Sequence, residues 1–433
     1  MRDFATSESP AVQTQLNRLA ALSLPQGRFG LETIRALLAR LGDPQKRLPP
    51  AFHVAGTNGK GSTCAFLRAM LEAEGLKVHA ATSPHLVRYN ERIRIAGELI
   101  SDALLAELLG EVLDIAEDLG PSFFEVTAAA SFLAFARIPA DACVIEVGLG
   151  GRFDATNVLD DPAACGVASL GIDHEAFLLA PEDGTPAEPI ARIAFEKAGI
   201  AKAGRPLVTQ SYPDAAVEAL AASAAKAGAK LLMRDAAWRM EAGETIDYGD
   251  AFGRLTLPLP TLSGAHQADN ATLAVAMLRH QDRVVVSPEA MARGILAAQW
   301  PARMQLLHTG PLTNLVGGRQ VWLDGGHNPD AGQAIARHLA GPVHLVIGML
   351  ANKNPAALLA PLADRLLSLS VVPIPGHDAH PPEAFAPHTD LPIASFTDVA
   401  AALRDLPPEG DVLIAGSLYL AGTALSANGE TPA

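Results

Sequence analysis

The chain has 433 residues, of which 49% are hydrophobic and 18% charged, enough apolar material for the cores of about two or three globular domains. A net charge of −14 argues against nucleic acid or an anionic membrane as a partner. With no apolar run of about 18 residues and no signal-peptide pattern, we expect a cytoplasmic protein. Cys64, Cys143 and Cys165 lack metal-site spacing and are predicted to be reduced core thiols.

The first predicted strand, 51–55, runs into a glycine-rich turn that ends in a lysine. Gly56, Gly59 and Gly61 permit backbone conformations closed to other residues, so that N–H groups can point at an anion. Lys60 adds a mobile positive charge suited to terminal phosphates. The pattern predicts a nucleotide-binding loop, which we call the phosphate loop, made of Gly56, Thr57, Asn58, Gly59, Lys60, Gly61 and Ser62.

A predicted helix at 62–74 follows, and its N-terminus points at the same place. The spacing departs from the standard motif, because Val54 stands where the first glycine belongs and Gly61 separates the lysine from the hydroxyl. We interpret this loop as a variant of the standard phosphate-binding motif. The alternative, a strand-to-helix turn without a ligand, would leave Lys60 with no packing role.

Short apolar runs alternate with helical stretches between residues 50 and 210, which predicts a doubly wound, mostly parallel α/β sheet. The predicted strands are 51–55, 77–82, 142–147, 165–171 and 206–210, with helices at 62–74, 102–118 and 124–137. An Ala-rich helix at 214–227, a β-ribbon region at 230–260 and a helix from near His266 come next.

A domain boundary is predicted at 299–303, where a helix ends at a proline. The domains are therefore 1–299, with the phosphate loop, and a smaller α/β domain at 300–433. Strands of the second domain are predicted near 319–324, 343–348, 369–374 and 411–415. The Pro-rich stretch 373–392 is predicted to be a loop, and the tail from Ser426 to be disordered.

Polar side chains mark the ends of predicted strands, where ligands of a doubly wound sheet bind. Ser83 follows the second strand, Glu146 lies in the third and His174 follows the fourth. The three together could bind Mg²⁺, with Glu146 as the anionic ligand, since burying it unpartnered would be costly. Three alternatives stay open: a turn residue for Ser83, a paired core charge for Glu146 and a helix-start group for His174, because histidine is an unusual magnesium ligand.

The second domain also has polar residues at the ends of predicted strands. Asp324, His327 and Asn328 follow one strand, and Ser417 ends another. Two α/β domains that each present polar strand ends are typical of a cleft enzyme that closes on its substrates.

Eight segments, in order, resemble the folylpolyglutamate synthase and dihydrofolate synthase group of the Mur-ligase superfamily, from about residue 30 to 420. They are 55–62, 82–86 with 90–93, 146–157, 171–174, 195–200, 264–267 with Asn270, 300–303 and 324–329. The resemblance implies an ATP-dependent amide ligase that joins L-glutamate to dihydropteroate and to reduced folates through an acyl phosphate.

The resemblance also implies roles for the two domains, ATP binding for 1–299 and ligation of glutamate for 300–433, and it implies site residues. For ATP it adds Asn270, Arg303 and Asp324 to the phosphate loop, and for two Mg²⁺ ions it implies Ser83, Glu146, His174 and a carbamylated Lys197. Catalytic roles fall to Lys60, His174, Lys197 and Arg303, and glutamate binding to Arg92, His327 and Ser417. The pterin set is Phe29, Gly30, Leu31, Phe123, Phe124, Asp154 and Ala155. Without the resemblance, we would interpret Lys197 as a solvated helix residue. Phe123 and Phe124 have an alternative interpretation as core residues at the start of a helix.

An insertion at 180–189 lengthens the segment between His174 and Lys197; we expect a surface loop that bears on whether Lys197 reaches the metal.

One alternative to the two-activity function is an enzyme that only extends folates. A peptidoglycan Mur-type ligase needs an N-terminal domain, whereas about 50 residues precede the phosphate loop. A non-catalytic nucleotide-binding module would not need Glu146, His174 and Arg303. We expect a monomer.

Overall fold

A computed structural model describes residues 6–22 and 30–432. The chain divides into two compact units. The first comprises the described parts of Met1–Pro84, Arg88–Thr261 and Gln267–Gln299, and the second comprises His85–Val87, Leu262–His266 and Trp300–Ala433. The roles predicted for the two domains stay predictions.

The first unit is built on a sheet whose described strands run in the order β4-β3-β2-β5-β1-β6-β7-β8. These strands are β1 Ala51–Ala55, β2 Val78–Ala81, β3 Ile93–Ile95, β4 Glu98–Leu99, β5 Ala142–Glu146, β6 Ala164–Val167, β7 Pro206–Thr209 and β8 Lys230–Met233. All pairs are parallel except those of β3 with β2 and β4. Side chains of β1 and β5 are buried throughout, as expected for central parallel strands. The predicted α/β fold class is confirmed.

Helices surround this sheet and carry much of its core. They are α1 Pro10–Ala20, α2 Glu32–Arg40, α3 Lys60–Ala73, α4 Asp102–Ile115, α5 Phe123–Arg137, α6 Glu175–Leu178, α7 Pro189–Ala198, α8 Asp214–Ala227, α9 His266–Arg279 and α10 Pro288–Ala297. Helix α3 begins at Lys60, two residues before its predicted start, because Gly59 takes a left-handed conformation with φ of 81° at the helix N-cap.

The predicted β-ribbon region at 230–260 was partly wrong. Lys230–Met233 pairs with β7 as a parallel strand of the large sheet, because α8 returns the chain in a β-α-β crossover. Only the later part forms a separate antiparallel sheet, with strands β9 Trp238–Ala242, β10 Ile246–Asp250 and β11 Gly253–Leu257.

The second unit has its own sheet in the order β12-β13-β17-β14-β15-β16. The strands are β12 Gln305–Leu306, β13 Val321–Leu323, β14 Val343–Ile347, β15 Leu366–Val371, β16 Ile393–Ser395 and β17 Asp411–Ala415, and only β12 pairs antiparallel. Its helices are α11 Pro329–His338, α12 Ala356–Leu362, α13 Val399–Asp405 and α14 Leu418–Ala427.

The predicted disorder from Ser426 onward was wrong. Helix α14 continues to Ala427, and Asn428 is buried. Asn428 Oδ1 accepts a hydrogen bond from the Leu312 amide at 3.0 Å, and its Nδ2 donates to the His308 carbonyl at 3.0 Å. Glu430 also accepts from the His308 amide. The polar composition of this segment serves to satisfy the backbone of a neighbouring loop rather than to remain in solvent.

The three cysteines are free and buried, which confirms the prediction of reduced core thiols. Within residues 6–22 and 30–432, every helix is too short or too polar to cross a lipid bilayer.

Candidate active site

The phosphate loop follows β1 and has positions that only glycine fits. At Gly56, where φ is 153°, a Cβ atom would lie 2.9 Å from the Ala168 Cβ. At Gly59 it would lie 2.4 Å from Asn270 Oδ1. Asn270 is buried on α9, where its Nδ2 donates to Gln267 Oε1 at 3.0 Å. The backbone therefore approaches its neighbours closely, as in loops that cradle phosphates.

Hydrogen bonds hold this loop against the segment that follows β6. The Thr57 amide donates to the Ser169 carbonyl at 2.7 Å. The Thr57 hydroxyl donates to the Gly171 carbonyl at 2.9 Å and accepts from the Gly171 amide at 3.0 Å. Ser169 Oγ donates to the Asn58 carbonyl at 3.1 Å. The segment that leads to Asp173 and His174 is thereby held beside the loop.

Two lysines converge on one carbonyl oxygen. Lys60 Nζ donates to the Gly56 carbonyl at 3.1 Å and to the Thr57 carbonyl at 3.3 Å. Lys197, on α7, donates to the same Gly56 carbonyl at 2.9 Å. Lys197 is buried, not solvated, and the insertion at 180–189 does not keep its amine from the phosphate loop.

The environment of Lys197 favours the neutral amine. Burial, together with the positive charge of Lys60, lowers the pKa of Lys197 to about 7, although Asp173, Asp154 and Glu196 oppose the shift. A lysine with such a pKa is partly deprotonated near neutral pH, which is the form that reacts with electrophiles such as CO₂.

Glu146 and Ser83 lie together, as expected for residues at neighbouring strand ends. Glu146 ends β5, is buried, and accepts a hydrogen bond through Oε2 from the Ser83 amide at 3.0 Å. His174 precedes α6 with a positive φ of 54°, and its Nε2 lies 3.9 Å from Asp173 Oδ2. Asp173 lies in the motif segment 171–174, and the sequence pattern predicts no role for it.

The oxygen donors of Glu146 and Ser83 suit a hard cation whose remaining ligands are other oxygen atoms. In the part of the chain that the structure describes, no group of three or more His, Cys, Asp or Glu side chains is arranged to hold a metal ion. A carboxylate and a serine hydroxyl are oxygen donors of the kind Mg²⁺ prefers, and Mg²⁺ commonly completes its shell with water and substrate phosphates. In addition, Thr63 Oγ1, at the start of α3, is buried and has no hydrogen-bond partner among the described residues. A bound polar group would satisfy it.

Asp154 belongs to a buried polar chain that the sequence did not reveal. Its carboxylate accepts hydrogen bonds from the amides of Leu149 at 2.8 Å and Thr156 at 3.0 Å, and from the Thr156 hydroxyl. Thr156 Oγ1 also lies 2.8 Å from His53 Nε2, so that His53 donates and its neutral Nε2–H tautomer is required. Burial raises the pKa of Asp154 and lowers that of His53 to about 3. The neighbouring Ala155 is buried.

Of the two adjacent phenylalanines, Phe123 packs against another aromatic ring, whereas Phe124 lines a small cavity. Phe123 packs edge-on against Tyr89, with ring centroids 6.0 Å apart, and the Arg92 guanidinium lies 5.4 Å from the centroid of each ring. Phe124 covers Gly148 so closely that a Cβ there would lie 2.4 Å from the ring. A cavity of about 20 Å³, roughly the size of a water molecule, is lined by Ala81, Thr82, Ser83, Arg92, Phe124, Thr127, Ala128, Ser131, Glu146 and Thr156.

Two of the remaining pterin candidates, Gly30 and Leu31, immediately precede α2. Phe29 lies outside the described residues. Leu31 precedes the helix at its N-cap and packs against the core formed by α1, α2, α4 and α5, while a Cβ at Gly30 would overlap the Glu32 carboxylate. The structure thus gives Leu31 a packing role.

In the second unit, Asp324 follows β13 and is buried. Its Oδ2 accepts from the Met304 amide at 2.7 Å and its Oδ1 from the Gly326 amide at 2.6 Å. Burial raises the pKa of Asp324, while the charge of Arg303 opposes the shift. Arg303 Nη1 donates to the Ala302 carbonyl at 2.9 Å.

The predicted glutamate residues lie in both units. His327 Nδ1 lies 3.1 Å from the Gly325 carbonyl, and Ser417 caps α14 by accepting from the Tyr419 amide at 3.1 Å. Arg92 belongs to the first unit, where it is buried. Glutamate binding by this set stays a prediction.

Comparison with curated proteins gave close relatives. The chain is 33% identical over 412 residues to folylpolyglutamate synthase of Lacticaseibacillus casei, with 90% of this chain and 92% of that protein covered. It is 34% identical over 402 residues to dihydrofolate synthase/folylpolyglutamate synthase of Escherichia coli, with 90% and 89% covered. It spans about half of a probable bifunctional folylpolyglutamate synthase/dihydropteroate synthase of Halobacterium salinarum, at 34% identity and with 49% of that protein covered. No profile of a protein family matched.

Solved structures agree over nearly the whole chain. E. coli FolC in complex with DHPP and ADP is similar with a TM-score of 0.84 and 32% identity, covering 97% of both chains. A bifunctional folylpolyglutamate synthase/dihydrofolate synthase with Mn, AMPPNP and L-glutamate bound gives a TM-score of 0.83 and 33% identity, covering 97% of this chain and 98% of that one.

Proposed function

The chain belongs to the folylpolyglutamate synthase and dihydrofolate synthase family, and on that premise we propose that it is an ADP-forming ligase with both activities. It joins L-glutamate to dihydropteroate and to reduced folates. A free carboxylate does not condense with an amine unaided, so the γ-phosphoryl group of ATP first activates it as an acyl phosphate. The glutamate amine then attacks the acyl carbon, a C–N bond forms and phosphate leaves.

The observation that carries this proposal is the pair of lysine amines on the Gly56 carbonyl. Lys60 and Lys197 lie at 3.1 and 2.9 Å from the same oxygen, beside a loop in which Gly56 and Gly59 exclude side chains. Two like charges so close are unfavourable unless an anion approaches or one lysine loses its proton. The arrangement therefore suits a polyphosphate ligand and also a neutral Lys197 amine, which is the form that carbamylation requires.

The predicted catalytic and metal-binding residues each have a role in the proposal, and all of them except Arg303 belong to the first unit. Amides of the phosphate loop and Lys60 hold the β- and γ-phosphates and orient them for transfer. Glu146, Ser83 and His174 would hold the divalent cation, which would neutralise phosphate charge. Carbamylation of Lys197 would convert its amine to a carboxylate that holds a second ion. Arg303 would stabilise charge that develops on the phosphoryl group.

For the folate substrate, the proposal assigns the pterin ring to the neighbourhood of Asp154 and Phe124. Asp154 would accept hydrogen bonds from the ring, and Phe124 would stack on it. The cavity beside Phe124 and Arg92, at about 20 Å³, would have to widen to admit a ring. The proposal also includes a monomeric protein in the cytoplasm, with glutamate bound by Arg92, His327 and Ser417.

The test is product formation by the purified chain with MgATP, L-glutamate and dihydropteroate. We expect ADP and dihydrofolate in equal amounts, and neither when glutamate or dihydropteroate is omitted. A parallel reaction with tetrahydrofolate should yield its diglutamate. Turnover of tetrahydrofolate without turnover of dihydropteroate would leave only the extending activity, and ATP binding without ADP release in any mixture would contradict a ligase.

A further inference from the structure

The insertion at 180–189 contains a carboxylate that is drawn into the protein. Glu182 has a side chain that is 25% exposed, whereas its neighbour Asp183 is exposed. Arg152 Nη1 donates to Glu182 Oε1 at 3.1 Å, and Arg192 Nη2 donates to Glu182 Oε2 at 3.0 Å. Contact with these guanidinium groups lowers the pKa of Glu182 to about 2. The insertion is therefore anchored through one residue that contacts two arginines.

The same two arginines also contact Glu196. Arg152 Nη2 donates to Glu196 Oε1 at 2.8 Å and its Nε donates to Oε2 at 3.1 Å, while Arg192 Nη2 lies 3.1 Å from Glu196 Oε1. The side chains of Arg192 and Glu196 are each only 6% exposed. Arg152, Glu182, Arg192 and Glu196, which we call the insertion network, thus balance two positive with two negative charges.

This network lies at the base of the Lys197 site. Arg192 and Glu196 are on α7, and Lys197 is the next residue of that helix. The Arg152 amide donates to the Glu196 carbonyl at 2.8 Å. A Cβ at Gly151 would lie 2.9 Å from the carbonyls of both Glu196 and Lys197, so loop and helix touch backbone to backbone. A shift of α7 would therefore move the Lys197 amine away from the Gly56 carbonyl.

We propose that Glu182 is a positioning residue, which reaches from the insertion to hold Arg152 and Arg192 and so keeps α7 and the Lys197 amine in register with the phosphate loop. Loss of its charge would leave two arginines facing a single carboxylate in a largely buried place. An uncompensated buried charge is strongly destabilising locally, and the loop and helix would separate to hydrate it. The kinetic part of this inference rests on the proposed function, whereas the structural part does not.

The test compares Glu182→Gln with Asp183→Asn, which removes the same charge from the next residue, and with Glu182→Asp, which keeps the carboxylate. Hydrogen exchange of the α7 amides should rise about tenfold in Glu182→Gln and stay at the wild-type rate in Asp183→Asn. In the ligase assay, kcat should fall about tenfold in Glu182→Gln with little change in KM for ATP, and Glu182→Asp should restore part of it.

Wild-type exchange in Glu182→Gln would overturn the inference, and so would raised exchange with an unchanged kcat. If the wild-type chain formed no ADP with any substrate, the proposed function would fail instead. The exchange comparison would then decide by itself whether Glu182 holds α7.

Discussion

Two buried charged sites, one in each unit, are arranged in opposite ways. In the first, Lys60 and Lys197 donate to one carbonyl oxygen, so like charges meet. In the second, both oxygens of Asp324 accept backbone amides, and the nearby charge of Arg303 is of opposite sign. The repulsion in the first arrangement is relieved by an anion or by loss of the Lys197 proton, while the second is satisfied by the protein itself. Substitutions in the first should therefore affect catalysis most, and those in the second should affect stability.

The largest effect is expected for Lys60→Ala. Loss of the cation at the phosphates should reduce ligation by about 1000-fold, because the charge acts on the transferring phosphoryl group. The half-buried side chain should matter little for folding, so the Tm should stay within a few degrees of the wild type. Lys77→Ala, which removes an exposed lysine, is the control and should retain full turnover. Substantial activity in Lys60→Ala would remove the phosphate loop from the mechanism.

Lys197→Ala should lower kcat by about 100-fold, because the carboxylate formed by carbamylation would be missing. Added acetate should restore part of the rate by occupying the vacated space. Lys202→Ala is a matched control, since this lysine follows α7 and donates to the Asn157 carbonyl at 3.3 Å. Full activity of Lys197→Ala without acetate would show that Lys197 has no part in catalysis. It would also remove the contrast drawn above between the two units.

Asp324→Asn should destabilise the second unit by about 2 kcal/mol. An asparagine has one acceptor oxygen for two amide donors, and its NH₂ group would face an N–H group, which leaves a buried donor unpaired. Urea unfolding measures the change, with Asp390→Asn as an exposed control. If Asp324→Asn unfolded like the wild type but lost turnover, Asp324 would act on ATP rather than on its own backbone.

The last effect concerns the pH dependence of stability. The pKa of Lys197 is lowered from 10.5 to about 7, so between these values the unfolded chain binds one proton more than the folded chain. Its contribution to the free energy of unfolding therefore rises with pH, by up to about 1.4 kcal/mol per unit.

Lys197→Met removes this titration and leaves Lys60 as a donor to the Gly56 carbonyl. In CO₂-free buffer we expect the variant to be more stable than the wild type near pH 7, with the difference shrinking as the pH approaches 10. Parallel stability curves across this range would contradict a lowered pKa for Lys197.

Most of the fold was predictable because its signals are local. The Ala-rich helix was predicted at the observed residues, Asp214–Ala227, and β1 at Ala51–Ala55, since helical and strand periodicities depend on neighbouring residues. The partner of β8 was not predictable, because strand pairing depends on a crossover between distant segments. The order of the tail at Asn428 likewise depends on a loop more than a hundred residues away.

The sequence by itself determined the phosphate loop, the polar strand ends and, through motif resemblance, the family. These features depend only on the spacing of glycines and the order of residues along the chain. Only the tertiary structure decided that Lys197 is buried on the Gly56 carbonyl, that His53 supports Asp154 through Thr156, and that Glu182 anchors the insertion. These contacts join segments far apart in sequence. Their effects on pKa and position come from burial and from neighbouring charges, which no local pattern records.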